Sequence, residues 1–476
     1  MLFKNRKDTV TQLGCDGRSK VGGRYGNVED IVDDSLCMGC GVCEPVCPVQ
    51  CIQIASSSKN QQLIPLVDQS TCVSGCDVCM RVCPGEEVDF PGLNEKYIGL
   101  VPDRADIGHV ERSLVGYAAD DSLRFEASSG GAATAFLIYL LESDLIDGAI
   151  VLRMSPTNPA ETEVVVARTS QEIRQAKGSK YCPGASATGL REVMRVPGRY
   201  AFVGLSCHVH GSRKFQEVFR KYRDRIVVTM GLFCGGGITG QGTEFMLQQL
   251  NVEKNELSQL TLRGHGFPGR TTAVRTDGSQ ETLYKRAAAR SPKEAAVYQS
   301  WMHRYFFPPR CLTCTDVTAQ LADISFGDPW LKRFVSDAAG SGLSMIVCRS
   351  AVGLRLLEMA VRDGAIVAES ETTVQEVKES QGKIAMKTNT RPYRVAAMCL
   401  GIRTPNYGQL FIDGPVSLAS VMNAVWQYFR LILGRHRLLW SILLQLERLL
   451  QWRRSTTDRW TRRFRRLCSR IVNRLR

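Results

Sequence analysis

The first thing missing from this 476-residue chain is an export signal. Met1–Val10 reads MLFKNRKDTV, with neither an apolar core segment nor a small-residue cleavage site. Export would favour disulfides; without it the expectation is a reducing cytosol, where thiols stay free or bind metal. Acid is scarce at the other end. From Val425 to Arg476 there are 14 Arg against only Glu447 and Asp458, which is +12 of the chain's total of +14. The remainder, at +2, is almost neutral, so overall basicity gives no ground for expecting nucleic acid as a partner of the body of the protein. The basic end also lacks a long apolar run. Its longest charge-free stretch, Gly414–Phe429, has 16 residues and includes Ser, Asn and Gln, short of a membrane span.

Cysteine, by contrast, is abundant. There are 18, in a chain whose 44% apolar and 23% charged content is ordinary for a globular protein of two or three domains. Spacing decides their role. Cys37, Cys40, Cys43 and Cys47 stand in CMGCGVCEPVCP, the pattern C-x2-C-x2-C-x3-C-P. Cys72, Cys76, Cys79 and Cys83 stand in CVSGCDVCMRVCP, where the first gap is one residue longer. Such loops aim three thiolates into one cavity, and the fourth, before proline, reaches the neighbouring cluster. The expectation is two [4Fe–4S] clusters in a small ferredoxin-like α+β module. One is held by Cys37, Cys40, Cys43 and Cys83, the other by Cys72, Cys76, Cys79 and Cys47. Gly39 and Gly41 let backbone amides approach the cluster sulfides. Zinc knuckles or a disulfide knot are the alternatives, though zinc pairs do not usually end in Cys-Pro. Cys51 lies outside both sets and reads as a packed thiol, as do Cys182, Cys348, Cys399 and Cys468.

Residues 1–30 are polar and aperiodic and read as a flexible leader, and 31–91 form the cluster module. A linker with Pro91, Gly92, Pro102 and Gly108 follows, and from 110 to 404 strands alternate with helices. Helices are expected at Ala132–Ile146 and Val352–Asp363. Strands are expected at Gly148–Met154, Thr162–Arg168, Arg199–Leu205, Arg225–Leu232 and Gly342–Arg349, with a hairpin turning at Asp277–Gly278. This is an α/β main domain with a mixed sheet. Cys207 and Cys234 follow the ends of two nearly all-apolar strands, the edge where open α/β sheets bind ligands. With the CxxC of Cys311 and Cys314 they make four ligands for a third [4Fe–4S] cluster; buried free thiols or a redox-active CxxC are the other readings. Two glycine loops, Ala127–Thr134 (ASSGGAAT) and Lys177–Gly184 (KGSKYCPG), suit a phosphate-bearing cofactor, or serve as a plain N-cap and a surface turn.

In this order the motifs resemble the beta-subunit family of coenzyme F420-reducing hydrogenases and dehydrogenases, whose relatives include 7-hydroxymethyl chlorophyll a reductase and bacterial polysaccharide-cluster proteins. The carriers are the double cluster motif, SSGGAATAFLIYLLESDLIDGAIV, KGSKYCPG, FVGLSCHVHG, GLFCGGG and RCLTCTDVTAQLADISFGDPW, over roughly Cys37 to Val367. The resemblance implies an FAD-dependent oxidoreductase with the flavin beside the third cluster, and a role in polysaccharide or related biosynthesis. It assigns Ser129, Gly130, Gly131, Thr134, Ser179, Lys180 and Tyr181 to the flavin environment. The family's Gly-Thr-Pro-Cys-Gln turn is here Gly204-Leu205-Ser206-Cys207-His208, which leaves the substrate, and any use of F420, open. His208 and His210 are the candidate proton donors near a flavin, with a solvated helix residue as the alternative reading of His210.

The implied activity passes electrons between an external carrier such as a ferredoxin, the clusters, FAD and an unidentified substrate. The contrasting class is a non-catalytic electron-transfer subunit that docks a partner enzyme. Residues 415–476 read as a basic amphipathic helical tail whose Leu/Trp and Arg faces suit an anionic membrane surface, placing a cytoplasmic protein peripherally on the inner membrane. Packing on the core or on a partner protein is the alternative for that tail.

Overall fold

The computed structural model describes residues 25–101, 106–284, 294, 296–298, 304–335, 340–382, 389–408 and 416–449. Regular structure reaches into the stretch read as leader, at Val28. The Asn27 side chain accepts the Glu29 amide at 2.9 Å and Asp30 reaches back to the Asn27 amide, a capping box that starts the helix Val28–Asp33 and buries Val28 and Ile31. A short helix Cys43–Val46, an antiparallel pair β1 (Ile52–Ser56) and β2 (Leu63–Val67), and a helix Val78–Val82 complete the module. Its own core is Val28, Cys43, Cys47, Cys51, Ile52, Val67 and Cys79. The expected linker is partly helical. Phe90–Tyr97 forms a helix because Asp89 caps it, accepting the Gly92 amide at 3.1 Å, and Pro91 stands in the first turn, where its missing N–H has no partner to lose.

The main domain follows the expected rhythm. β3 (Arg112–Ala118), β4 (Gly148–Met154), β5 (Thr162–Ala167), β6 (Tyr200–Leu205) and β7 (Ile226–Leu232) enter one sheet. β8 (Leu257–Gly264), β9 (Arg270–Arg275) and β10 (Gln280–Tyr284) form a separate antiparallel sheet, with the predicted hairpin turning at Gly278 in the left-handed region. β11 (Ile324–Gly327), β12 (Ser344–Cys348) and β13 (Ile366–Glu371) return to the first sheet, in the order β13-β3-β12-β11-β7-β6-β4-β5. β11, β7, β6 and β4 are parallel neighbours and the other pairings are antiparallel, so the sheet is mixed. The helix expected over Ala132–Ile146 ends at Glu142, because Asp144 turns left-handed and the Leu145 amide folds back to Leu140 O at 2.9 Å.

Module and sheet are not separate bodies. Cys40, Val42, Val46, Val78 and Val82 share one apolar cluster with Ile150, Leu190, Phe202 and Phe215. Gly41, at φ +87°, lies so close to the main domain that a Cβ there would stand 2.7 Å from Thr188 Cγ2 and 2.9 Å from Ala185 Cβ.

The C-terminal helices also belong to the body of the protein up to residue 449. The helix Leu418–Gly434 buries Ala424, Tyr428 and Leu431, and the following segment buries Trp440, Leu443 and Leu444, in one cluster with Phe245, Tyr305 and Phe306. Trp440 Nε1 donates to Gly434 O at 2.8 Å, and buried Glu447 accepts the Tyr305 hydroxyl at 2.8 Å. The expected tail is therefore core on one face, since its apolar residues have intramolecular partners. The opposite face, with Leu418, Met422, Phe429, Ile432, Leu438, Ile442 and Leu449, is exposed. Trp452, Trp460 and most of the tail's Arg lie outside the described residues. A Cβ on Gly434 would fall 2.0 Å from the Tyr305 carbonyl oxygen. Gly434→Ala is therefore expected to destabilise the fold by about 1–3 kcal/mol, read as a lower denaturant midpoint at unchanged slope.

Candidate functional site

The N-terminal thiols sit among backbone donors. Gly39 and Gly85 amides donate to Cys37 Sγ and Cys83 Sγ, each at 3.4 Å, and the Cys51 amide donates to Cys47 Sγ at 3.3 Å. Cys40 receives the amides of Val42 and Gly41, and Cys79 that of Val28. The structure brings Cys83 to Cys37, Cys40 and Cys43, and Cys79 to Cys83, Cys76 and Cys47, with Cys79 also beside Cys43, so the two sets adjoin. Cys72 and Cys47 flank Cys51. Burial pushes the Cys40 and Cys79 thiols up to about 12 and raises Cys37 and Cys43 as well. Such sulfurs ionise only against a compensating positive charge, so their packing fits iron as the occupant.

The third thiol set assembles from three places along the chain. Cys207 lies in the first turn of the helix Ser206–Val218, directly after β6. Cys234 follows β7, its amide bonded to Val317 O at 2.8 Å, and Cys311 and Cys314 lie in and just after the turn Pro309–Leu312. The electrostatic neighbours of Cys207 are Cys40, Cys234, Cys311 and Cys314. All four expected ligands are thus drawn together, with a thiol of the N-terminal module beside them. Two cations mark the junction. Lys214 Nζ donates to Cys83 O at 2.6 Å and Glu87 O at 3.0 Å, and buried Arg310 donates to Gly85 O at 3.2 Å and to the Tyr407 hydroxyl at 2.6 Å.

The glycine loops also converge. The Ser128 hydroxyl donates to Arg263 O at 2.8 Å and accepts the Ser179 amide at 2.5 Å, tying both loops to β8. Ser129 Oγ donates to Leu343 O at 2.5 Å and the Gly130 amide to Ser344 Oγ at 3.0 Å, so both hold the loop against β12. Gly131 is left-handed at φ +72° and starts the helix Ala132–Glu142, with Thr134 in its first turn. Lys180 Nζ donates to Lys177 O and Gly178 O, each at 3.0 Å, and to Ala176 O; burial pulls its ammonium down to about 7. Tyr181 lies near the Arg263 guanidinium. His208 is buried. Its Nδ1 accepts the Leu205 amide at 3.4 Å, the ring also bonds the Gly184 backbone, and burial lowers it to about 4. His210 is no solvated residue; it is 1% exposed and pairs with Asp316 at 2.9 Å, because its helix turns inward toward the 316–323 segment.

Sequence reasoning missed three buried ties, although it singled out the string that contains them. Asp316 pairs with His210, Asp323 with Arg213 at 3.0 Å, and Asp328 with Arg263 through two bonds of 2.7 and 2.6 Å. The available signal was an acid repeated within an apolar run, since a buried carboxylate requires a partner. Arg263 further stands 5.6 Å from the Trp330 ring, which packs on Phe267 at 5.2 Å.

A cysteine-paired module set against a sheet edge that gathers four more thiols is the construction of an iron–sulfur oxidoreductase-type protein. Residues 198–374 match the C-terminal model of the coenzyme F420 hydrogenase/dehydrogenase beta subunit, residues 113–190 the corresponding N-terminal model, and residues 36–86 a 4Fe-4S dicluster domain. The chain belongs to the coenzyme F420 hydrogenase/dehydrogenase beta-subunit family. It is 26% identical over 272 residues to coenzyme F420 hydrogenase subunit beta of Methanosarcina barkeri, covering 55% of this chain and 81% of that protein. The Methanothermobacter thermautotrophicus subunit beta is 24% identical over 314 residues, 63% of this chain and 99% of that one. The coenzyme F420-dependent sulfite reductase of Methanocaldococcus jannaschii is 30% identical over 320 residues, 63% of this chain and 43% of that enzyme. A chain of the solved F420-reducing [NiFe] hydrogenase complex of Methanosarcina barkeri shares the fold, with a TM-score of 0.50 and 21% identity over 65% of this chain and 99% of that one.

Asp328→Asn leaves the buried Arg263 cation unpaired, and is expected to destabilise the protein by about 3–5 kcal/mol in thermal or denaturant unfolding. The double variant Asp328→Asn/Arg263→Met is expected to be less destabilised than the single one, because no charge is then stranded.

Proposed function

We propose that the chain is an iron–sulfur flavoprotein oxidoreductase, in which Cys37, Cys40, Cys43 and Cys83 hold one cluster and Cys47, Cys72, Cys76 and Cys79 a second. Cys207, Cys234, Cys311 and Cys314 hold a third, and the loops around Ser129, Gly130, Gly131, Thr134, Ser179, Lys180 and Tyr181 receive FAD. Bound clusters supply single-electron steps and the flavin joins these to two-electron chemistry. The observation that carries the reading is Cys207, whose neighbours are both its own three partners and Cys40 of the module. The half-buried Cys72 and Cys76 stand on a loop whose residues Gln69–Thr71, Ser74 and Gly75 are exposed, so the second set faces outward, toward an external carrier such as a ferredoxin. Lys214 and Arg310 offset negative charge beside Cys83. His208, with its ring engaged at Leu205 and Gly184, positions the 184 loop against the end of β6.

Anaerobically purified protein is expected to contain about twelve irons and one FAD per chain if every cluster is [4Fe–4S], and Cys207→Ser/Cys311→Ser to lose about four irons. About eight irons without flavin would favour the electron-transfer subunit. Colourless protein would end the redox reading.

For the exposed face of the C-terminal helices we propose an anionic membrane surface, which places the protein peripherally on the cytoplasmic side. Leu418 and Leu438 are 79% and 94% exposed, and Arg448 stands exposed beside Leu449. Residues 450–476 add ten Arg against one Asp. Among the described residues no helix is long and apolar enough to cross a membrane. The protein is expected to sediment with phosphatidylglycerol-containing vesicles and not with phosphatidylcholine vesicles, and Leu438→Glu/Ile442→Glu to abolish this. Failure to bind either vesicle, with a dimer in light scattering, would replace the membrane by a second copy.

A further inference from the structure

Cys51 was expected to be a packing thiol, and it does lie in the module's core, but its sulfur is flanked by two other sulfurs. Its Sγ stands 3.4 Å from Cys47 Sγ, and its amide donates to the same sulfur at 3.3 Å. Its other thiol neighbour is Cys72. The residue is held from both sides: it directly precedes β1, and its carbonyl accepts the Asp68 amide at 2.8 Å. Cys47 and Cys72 belong to the same proposed ligand set, so the sulfurs flanking Cys51 all serve one cluster.

We infer that Cys51 is a second hydrogen-bond donor to the Cys47 ligand and makes the outward-facing cluster easier to reduce. The inference rests on the dicluster module and on Cys47 as a ligand of the second set. A ligand sulfur is a thiolate and can only accept, whereas a buried thiol outside the ligand set keeps its proton. Of the two sulfurs 3.4 Å apart, Cys51 is therefore the one with hydrogen to give. Donation to a ligand stabilises negative charge, and the reduced cluster carries one more of it. Cys47 thus takes an N–H and an S–H from a single residue. Cys51 is a positioning and tuning residue, and no ligand.

The test is a redox titration followed by electron paramagnetic resonance on anaerobically purified full-length protein, with iron counted in each variant. Cys51→Ala is expected to keep the wild-type iron content and to shift the midpoint of one N-terminal cluster to more negative potential, by about tenfold in its reduced-to-oxidised ratio, or 59 mV for one electron. The other clusters are expected to stay where they are. Cys51→Ser, which restores a donor of similar size, is expected to lie near wild type. Unmoved midpoints in Cys51→Ala would overturn the inference, as would a Cys51→Ser shift equal to that of Ala. Loss of iron in Cys51→Ala would overturn it in favour of ligation. Wild-type protein without N-terminal iron would sink the dicluster assignment as well, whereas wild-type iron with an unmoved midpoint sinks this inference alone.

Discussion

A thiol buried among apolar side chains cannot carry charge by itself, and the N-terminal half of this protein is built around thiols of that kind. In the module's own core four of the seven buried residues are Cys43, Cys47, Cys51 and Cys79, with only Val28, Ile52 and Val67 as hydrocarbon. Hydrocarbon on that scale stabilises little, because a small domain depends on the area it removes from water. Iron changes the balance. On the proposed ligation it would turn Cys43, Cys47 and Cys79 into ligands, so that loading the module and folding it would become one event. The dependence extends outward, because Cys40 and Val42 form part of the cluster that covers Phe202 and Phe215 on the main domain.

The segment that carries Cys311 and Cys314 is placed by different means. It runs through the interior from Arg310 to Asp328, and its three acids each meet a cationic or protonatable partner on another element: His210 and Arg213 on the helix after β6, Arg263 on β8. Buried pairs of this kind add little net stability, since desolvation consumes most of the attraction. Their effect is to exclude other registers. A slip of one residue would strand three carboxylates at once. The helix that carries Cys207 and the loop that presents Cys311 and Cys314 are therefore locked to each other by these pairs, and thiols distant in sequence arrive together.

Much of this was legible because strands and cysteine ligands are local signals. β4, β6 and β7 lie within a residue of their expected bounds, and the mixed sheet follows from apolar runs that need cover on both faces. The two N-terminal thiol sets followed from spacing within each loop, and the third from strand ends, one CxxC and the family resemblance. What was not legible is pairing across long separations. Nothing around Arg263 announces Asp328, and Lys214 reads as a surface residue of an amphipathic helix until Cys83 and Glu87 are brought to it. The helix Val28–Asp33 was legible in principle, since Asn27-x-x-Asp30 is a capping box, but the polar glycine-bearing segment before it hid that signal.

The C-terminal helices show why periodicity alone misjudged their place. A helix with one apolar stripe can lie on a membrane or on a core, but Leu418–Gly434 has two. Ala424, Tyr428 and Leu431 face inward, while Met422, Phe429 and Ile432 face out. A helix apolar nearly all round must be covered on both sides, and the described residues cover only one. Met398, 73% exposed, lines a cavity of about 520 Å³ with Tyr25, Leu36, Arg394 and Arg403. Leu36 directly precedes Cys37. The inner stripe already has its cover in Phe245, Tyr305 and Phe306, so the outer stripe is the face left for the proposed membrane contact.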